Sequence, residues 1–290
     1  MRIVQNIFLP NAAMIAAEAI GAFATNDVEV VSTFTRSSLD QRAALLSGEA
    51  DVAVTALDNL FAWNNEAEGG FVAVAQIERV TSLPLYLSAG IRSLAALAAL
   101  DRPRLVVDSP VSGFGIALVA IVESLGVDRE RMEIVAVGGV NERLVALSNG
   151  DGDVALLAPF VAGTAAEASL TRATSVEEFY PAYPGLVVVT HAGRGAVTGD
   201  AVVGYLAALG AGRAWLNSEP VAAIAALTAT GLPEPAARAQ LGLCGSGPLT
   251  VSREGFEVLR RLRAEQGLLP DIACDFDDFV THHLLNIEED

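Results

Sequence analysis

Ser109, Ser112 and Gly113 stand directly before an apolar helical run. A helix start of that kind offers free N–H groups and a positive dipole end that would hold an anionic group. The alternative for Ser112 is a role as the cap of that helix alone. Arg36 is the one basic residue in the strand-end loops of the first half, and its guanidinium suits a carboxylate or sulfonate. Its alternative is a solvated arginine paired with Asp40. Asn59 would hydrogen-bond a ligand amine or hydroxyl, whereas the adjacent Asp58 reads as a helix cap.

The elements that must position these groups are strands alternating with helices. Strands are predicted near Arg2–Phe8, Val28–Ser32, Val52–Thr55, Val72–Gln76 and Pro84–Leu87, with helices at Ala12–Phe23, Leu39–Ser47 and Leu57–Trp63. A second series follows, with strands near Leu105–Val107, Glu133–Val137, Val154–Leu157 and Gly185–Thr190. Its helices are Gly113–Leu125, Asn141–Ser148 and a short one near Phe160–Ala168. The last third carries helical spacing at Ala201–Asn217, Pro220–Ala229, Glu234–Leu241 and Arg253–Gln266. Too few strands remain there for a separate domain. The expected fold is therefore α/β with two lobes, residues 1–88 and 188–290 forming a discontinuous first lobe and 89–187 the second. Two crossings, near Ser88–Arg92 and Tyr183–Val187, would make a hinge. Pro84 lacks a ladder donor and fits only a strand start or an edge.

An internal echo supports two lobes. Gly48-Glu49-Ala50-Asp51-Val52-Ala53 and Gly150-Asp151-Gly152-Asp153-Val154-Ala155 each follow a helical segment, and Gly48 and Gly150 are 102 positions apart. Equivalent loops of two similar lobes facing each other would grip a small molecule between half-sites.

Composition excludes several chemistries. All 18 basic residues are arginine, so Schiff-base, lysine-anchored pyridoxal-phosphate and Walker-type mechanisms lack their ammonium group. A formal net charge of −17 argues against nucleic acid and anionic membranes as partners. Cys244 and Cys274 lack metal-ligand spacing, and their pairing is open. The three histidines, His191, His282 and His283, provide poorly for a metal, and no cofactor is expected. His191 reads as a hydrogen-bonded structural residue before a turn at Ala192–Gly195, with no serine or cysteine nearby to complete a nucleophile–base pair. The tail Ile287–Asp290 reads as a solvated end. No stretch is long and apolar enough to cross a bilayer. Met1 runs almost directly into a strand, so the chain as written carries no export signal and is expected in the cytoplasm. Removal of a leader would place it in the periplasm or at the cell surface.

The two Gly-acid units, with Asp108-Ser109-Pro110-Val111-Ser112-Gly113 between them, resemble the type II periplasmic binding proteins over nearly the whole chain. The pattern is most similar to the branch containing sulfonate, taurine and nitrate receptors and the thiamine-precursor synthases. The resemblance implies a binding protein that closes two lobes over a small organic, anionic ligand, performs no chemistry, and works with a membrane permease. The synthases' cysteine-rich motif and histidine arrangement are not recognisable here. The rival reading is a cytoplasmic biosynthetic enzyme of the menaquinone or thiamine-precursor type.

In such sheets the ligand lies beyond the carboxyl ends of the strands. The loops there make Phe8, Pro10, Asn11, Arg36, Thr55 and Asn59 the candidates of the first lobe. Ser109, Ser112, Gly113, Phe114, Asn141 and Phe160 are those of the second. Phe8, Phe114 and Phe160 would supply apolar walls, and Trp63 reads as core.

Overall fold

The computed structural model describes residues 1–194 and 199–285. From the amino terminus the chain runs β1 (Arg2–Ile7), α1 (Ala12–Ala19), α2 (Ala22–Thr25), β2 (Glu29–Phe34), α3 (Ser38–Ser47), β3 (Val52–Ala56), α4 (Asn59–Asn64) and β4 (Phe71–Gln76). It continues through β5 (Pro84–Leu87), α5 (Leu94–Ala98), β6 (Arg104–Val107), α6 (Gly113–Ser124), β7 (Glu133–Ala136) and α7 (Val140–Asn149). Next come β8 (Val154–Leu156), α8 (Ala162–Glu167), β9 (Thr171–Ser175), α9 (Val176–Phe179) and β10 (Leu186–His191). Helices α10 (Asp200–Ser218), α11 (Pro220–Ala229), α12 (Glu234–Cys244), α13 (Arg253–Glu265) and α14 (Phe276–Phe279) complete it.

The chain divides into two compact units. Unit 1 comprises Met1–Val80, Pro184–Glu257 and Leu269–Asp290, and unit 2 comprises Thr81–Tyr183 and Val258–Leu268. The division falls at four points in the chain, where the sequence pattern predicts two.

Each unit is built on one five-stranded sheet, β2-β1-β3-β10-β4 in unit 1 and β7-β6-β8-β5-β9 in unit 2. In both, the second strand of that order pairs in parallel with its two neighbours, β1 with β2 and β3, β6 with β7 and β8. In both, one antiparallel strand is inserted between the third strand and the edge strand, β10 in unit 1 and β5 in unit 2. The register shifts at the same place in each, where the inserted strand faces the edge strand, between Val188 and Val189 and between Leu85 and Tyr86. The expected α/β fold is present, and the two Gly-acid units precede β3 and β8 in separate sheets. Pro84 opens β5, an interior strand, at the strand-start position its missing N–H permits.

Strands β10 and β4 of sheet 1 are apolar on both faces, which is why they read as unbroken runs. Ala73, Val74 and Ala75 of β4 and Val187, Val188 and Val189 of β10 are all fully buried. Helix α10 closes one face by lying against α1, where alanines Ala12, Ala13, Ala16 and Ala17 are buried. The approach is close enough that a Cβ at Gly212 would meet Ala13 O at 2.5 Å and Ala17 N at 2.7 Å. Tyr205 of α10 is buried and donates its hydroxyl to Gln5 Oε1 at 2.6 Å, satisfying two polar groups inside the core. Phe61, Phe256 and Phe279 form a second cluster in unit 1, with centroids 5.0–5.6 Å apart. In unit 2, α6 carries nine buried residues and is apolar nearly all round, as a covered helix must be.

Three local readings are corrected. The first predicted helix, Ala12–Phe23, is two helices, because Gly21 takes a left-handed backbone with φ of 69° that ends one and begins the next. Strand β9 is absent from the sequence reading because Thr171–Ser175 is polar, and it forms by pairing at the sheet edge with β5. Asp58 occupies the position before α4 but makes no capping bond, its backbone being already helical with φ −58° and ψ −29°.

Candidate functional site

The echoed segments place their acids identically. Gly48 and Gly150 end α3 and α7 in the left-handed region, with φ of 79° and 78°. Three residues later, the carboxylate of Asp51 accepts the Val4 N–H at 2.7 Å and that of Asp153 accepts the Arg104 N–H at 2.7 Å. The backbone N–H of each acid returns the bond to the same partner's carbonyl at 2.8 Å. These clamps hold the amino ends of β3 to β1 and of β8 to β6. They lie at the opposite end of the strands from the candidate loops, so the echo marks the scaffold of each half-site.

In unit 1 the loops after β1, β2 and β3 carry the predicted residues. Phe8 and Pro10 are exposed beyond β1. Asn11 is buried and caps α1, its Oδ1 accepting from Met14 N at 3.1 Å, while its Nδ2 is buried without a partner. Thr55 is fully buried, and its hydroxyl accepts the side-chain amide of Asn59 at 2.7 Å. Thr55 thus fixes the Asn59 side chain, and Asn59 Oδ1 accepts no hydrogen bond among the described residues. Arg36 is exposed and makes no ion pair with Asp40, whose carboxylate instead accepts from Thr35 Oγ1 at 3.2 Å. Its guanidinium makes no hydrogen bond among the described residues.

In unit 2 the loop after β6 is a hydrogen-bonded knot. Ser112 caps α6 by accepting from Gly115 N at 3.0 Å. Its one hydroxyl proton faces Asp108 Oδ1 at 2.5 Å and Ser109 O at 3.0 Å. Gly115 is required here, since a Cβ would meet Ser109 O at 2.3 Å. Arg143, 96 % buried at its side chain, brings Nη1 to 3.5 Å from the same Asp108 oxygen and donates to Gly138 O at 3.4 Å. Burial pulls the Arg143 pKa down, and the charges of Asp108 and Glu142 partly restore it. Gly113 is buried at the helix start and Phe114 is partly exposed beside it. Asn141 is exposed in the first turn of α7 and makes no capping bond, the N-cap being Gly139. Phe160 lies in the turn Pro159–Val161, and its side chain falls outside the described residues.

Sequence reasoning missed Asp108 and Arg143. The available signal was the echo itself, because Arg143 stands 102 positions after Gln41. Buried Gln41 bridges strand ends in unit 1, donating to Asn6 O at 3.1 Å and Val54 O at 3.0 Å. Arg263 of α13 was also missed; its Nη2 donates to Val111 O at 3.1 Å and so braces the Ser109–Ser112 loop.

The reactive side chains elsewhere have structural roles. His191 Nε2 pairs with Gly69 O at 3.0 Å and its ring packs edge-on against Phe71, as the sequence reading expects of a structural histidine. Trp63 is core, 1 % exposed. Cys244 is a buried thiol whose pKa burial pushes up to about 12, and Cys274 donates its thiol to Ile272 O at 3.3 Å. The turn expected at Ala192–Gly195 and the tail Ile287–Asp290 extend beyond the described residues. A cavity of about 390 Å³ in unit 1 is lined by Leu45, Ser47, Asp51, Thr190 and His191. It opens at the amino end of β3, and Thr190 there donates to Asp51 O at 3.0 Å. Among the described residues no group of three or more His, Cys, Asp or Glu is arranged to hold a metal, and no helix is long and apolar enough to cross a membrane.

Two sheets of identical strand order, each with one inserted reversed strand, define the type II periplasmic-binding-protein fold. Residues 10–223 match the NMT1/THI5-like family model, and the chain belongs to that family. The structure is similar to the ligand-binding component of an ABC-type import system from Staphylococcus aureus, solved with zinc bound. That comparison has a TM-score of 0.78 and 15% identity over 98% of each chain. It is similar to the alkanesulfonate-binding protein SsuA from Xanthomonas axonopodis pv. citri, bound to MOPS, with a TM-score of 0.75 and 14% identity over 97% of this chain and 98% of that one. The periplasmic nitrate-binding protein NrtA from Synechocystis PCC 6803 gives 0.75 and 13% over 98% and 86%. At these identities the likeness is one of fold. No curated protein matches the chain by sequence.

Proposed function

We propose that this chain is a solute-binding protein of an ABC-type import system, taking up a small organic ligand at the strand ends of its two units and delivering it to a membrane permease. Family membership and fold support the reading. The observation that carries it is that both sheets end in loops with hydrogen-bonding groups not yet committed, the Arg36 guanidinium and Asn59 Oδ1 in unit 1 and Asp108 Oδ2 in unit 2. Arg36 would take the anionic end of the solute as a bidentate pair. The structural commitments of His191 and Cys244 favour binding over catalysis.

Thermal shift against a library of sulfonates, carboxylates and pyrimidines tests the reading. A true ligand at about a hundred times its Kd stabilises by about 2.7 kcal/mol, a rise of a few degrees. Multiple-turnover conversion of a library member to a released product would overturn it.

A further inference from the structure

The cavity of about 390 Å³ at the amino end of β3 lies within unit 1, away from the strand-end loops. Its volume falls in the range of small-molecule sites, roughly 300–1,000 Å³. Its wall offers acceptors, and its side-chain donors are already committed. Ser47 donates its hydroxyl proton to Ala44 O at 3.2 Å, and Thr190 donates its own to Asp51 O at 3.0 Å. His191 Nε2 faces Gly69 O at 3.0 Å, a carbonyl that can only accept, so the ring proton sits there and Nδ1 is a lone pair without a donor. The backbone N–H groups of Ala50 and Asp51 are bound to Ala44 O and Val4 O, and that of Glu49 to Ser47 Oγ. The Asp51 carboxylate takes the Val4 N–H through Oδ2 alone, and Oδ1 has no partner among the described residues. Helix α3 ends at the same wall, so its last carbonyls bring the negative end of the helix dipole to Ser47 and Gly48. Leu45 and Ala50, both buried, supply the apolar part. None of the described lining residues carries a fixed positive charge.

We propose that this cavity binds a small organic cation, a primary ammonium on a short carbon chain, with its nitrogen on Asp51 Oδ1 and its chain against Leu45 and Ala50. The site is separate from the one at the strand ends and does not depend on the solute-binding reading. A carboxylate pinned at one oxygen by a backbone N–H presents the other in a fixed direction, so the acceptor of a charge-assisted bond loses little freedom on binding. A bare metal ion fits less well, because only one carboxylate and one imidazole line so wide a space.

Butylammonium and tetramethylammonium chlorides, titrated calorimetrically into the full chain at constant ionic strength, provide the test, since both are monocations and only the first has N–H donors. Butylammonium is expected to saturate one site and to bind about ten-fold or more tightly than tetramethylammonium. Asp51→Asn keeps an oxygen for the Val4 N–H but turns an amide donor toward the cavity, and it should erase that preference. A crystal structure of the wild-type complex should place the ammonium within hydrogen-bond distance of Asp51 Oδ1, a readout independent of how the variant folds. Equal affinity for the two cations, no saturable binding of butylammonium, a preference untouched by Asp51→Asn, or an ammonium bound at the strand-end loops instead would each overturn the inference. None of these outcomes bears on the binding-protein reading, which the sulfonate, carboxylate and pyrimidine library judges separately.

Discussion

Asp51 and Asp153 hold the same post in two different sheets, each carboxylate taking a backbone N–H of the neighbouring parallel strand at 2.7 Å while its own N–H bonds the same residue's carbonyl at 2.8 Å. Removing either carboxylate leaves a strand-end N–H without its charged partner, which costs about 1–3 kcal/mol. Asp51→Ala and Asp153→Ala should therefore lower stability by similar amounts in urea denaturation. The ion pair of Asp153 with Arg104, whose side chain is 36% exposed, adds little to the second. A shift below a few tenths of a kcal/mol in both would refute the clamp.

Gly212 sets how closely α10 approaches α1. Gly212→Ala puts a methyl within 2.5 Å of Ala13 O and forces apart two helices that pack closely through the buried alanines of α1. Overpacking of that kind costs about 1–3 kcal/mol, against a helix-propensity gain of under about 1. Circular-dichroism melts should show a net fall in Tm, and a rise would contradict the packing described.

Glu78 makes stability depend on pH. Burial raises its carboxyl pKa from 4.5 to about 7, partly offset by a hydrogen bond with the Leu186 backbone. Because the folded value lies above the unfolded one, the folded chain keeps a proton that the unfolded chain releases between those limits. The favourable contribution is complete below about pH 4.5 and is lost as pH rises through 7, a change on the order of 1–3 kcal/mol. Glu78→Gln should flatten the chemical-denaturation profile between pH 5 and 7.5 relative to wild type. An unchanged slope would disprove the assignment.

Arg143 and Asp108 should respond unequally to truncation. Asp108→Ala strands a guanidinium that is 96% buried, whereas Arg143→Met leaves a carboxylate that is 32% exposed and can draw on water. The first is expected to cost about 1–3 kcal/mol and the second about 1 or less. Equal losses in guanidinium denaturation would argue that the pair is not organised around a buried cation.

Arg36→Ala should leave stability within about 0.5 kcal/mol of wild type, since the side chain is exposed and makes no bond among the described residues. If Arg36 clamps the anionic end of the solute, affinity should fall about ten-fold or more, as for a charge-assisted pair worth about 1.5–3 kcal/mol. Unaltered affinity in a calorimetric titration would remove Arg36 from the site.

Much of the fold was legible because strand and helix periods are local. The runs Val72–Ala75 and Leu186–Val189 announced strands covered on both faces, and Gly48 and Gly150 announced helix ends, since a left-handed backbone is easiest for glycine. Of the candidate site, Ser112 as a cap and Arg36 as an exposed cation were visible. Asp108 was not, because a carboxylate after a strand looks like any turn residue until its neighbours are known.

The amino-acid sequence by itself determined the alternation of elements, the repeat at an interval of 102 residues, and the absence of lysine chemistry. Only the tertiary structure decided that β10 and β5 insert reversed between the third and edge strands, and that polar Thr171–Ser175 completes a sheet. It also turned the echoed aspartates onto backbone N–H groups and buried Arg143 behind Asp108. Those outcomes depend on partners dozens of residues away, whose pairing is set by burial and backbone hydrogen bonding across the sheet.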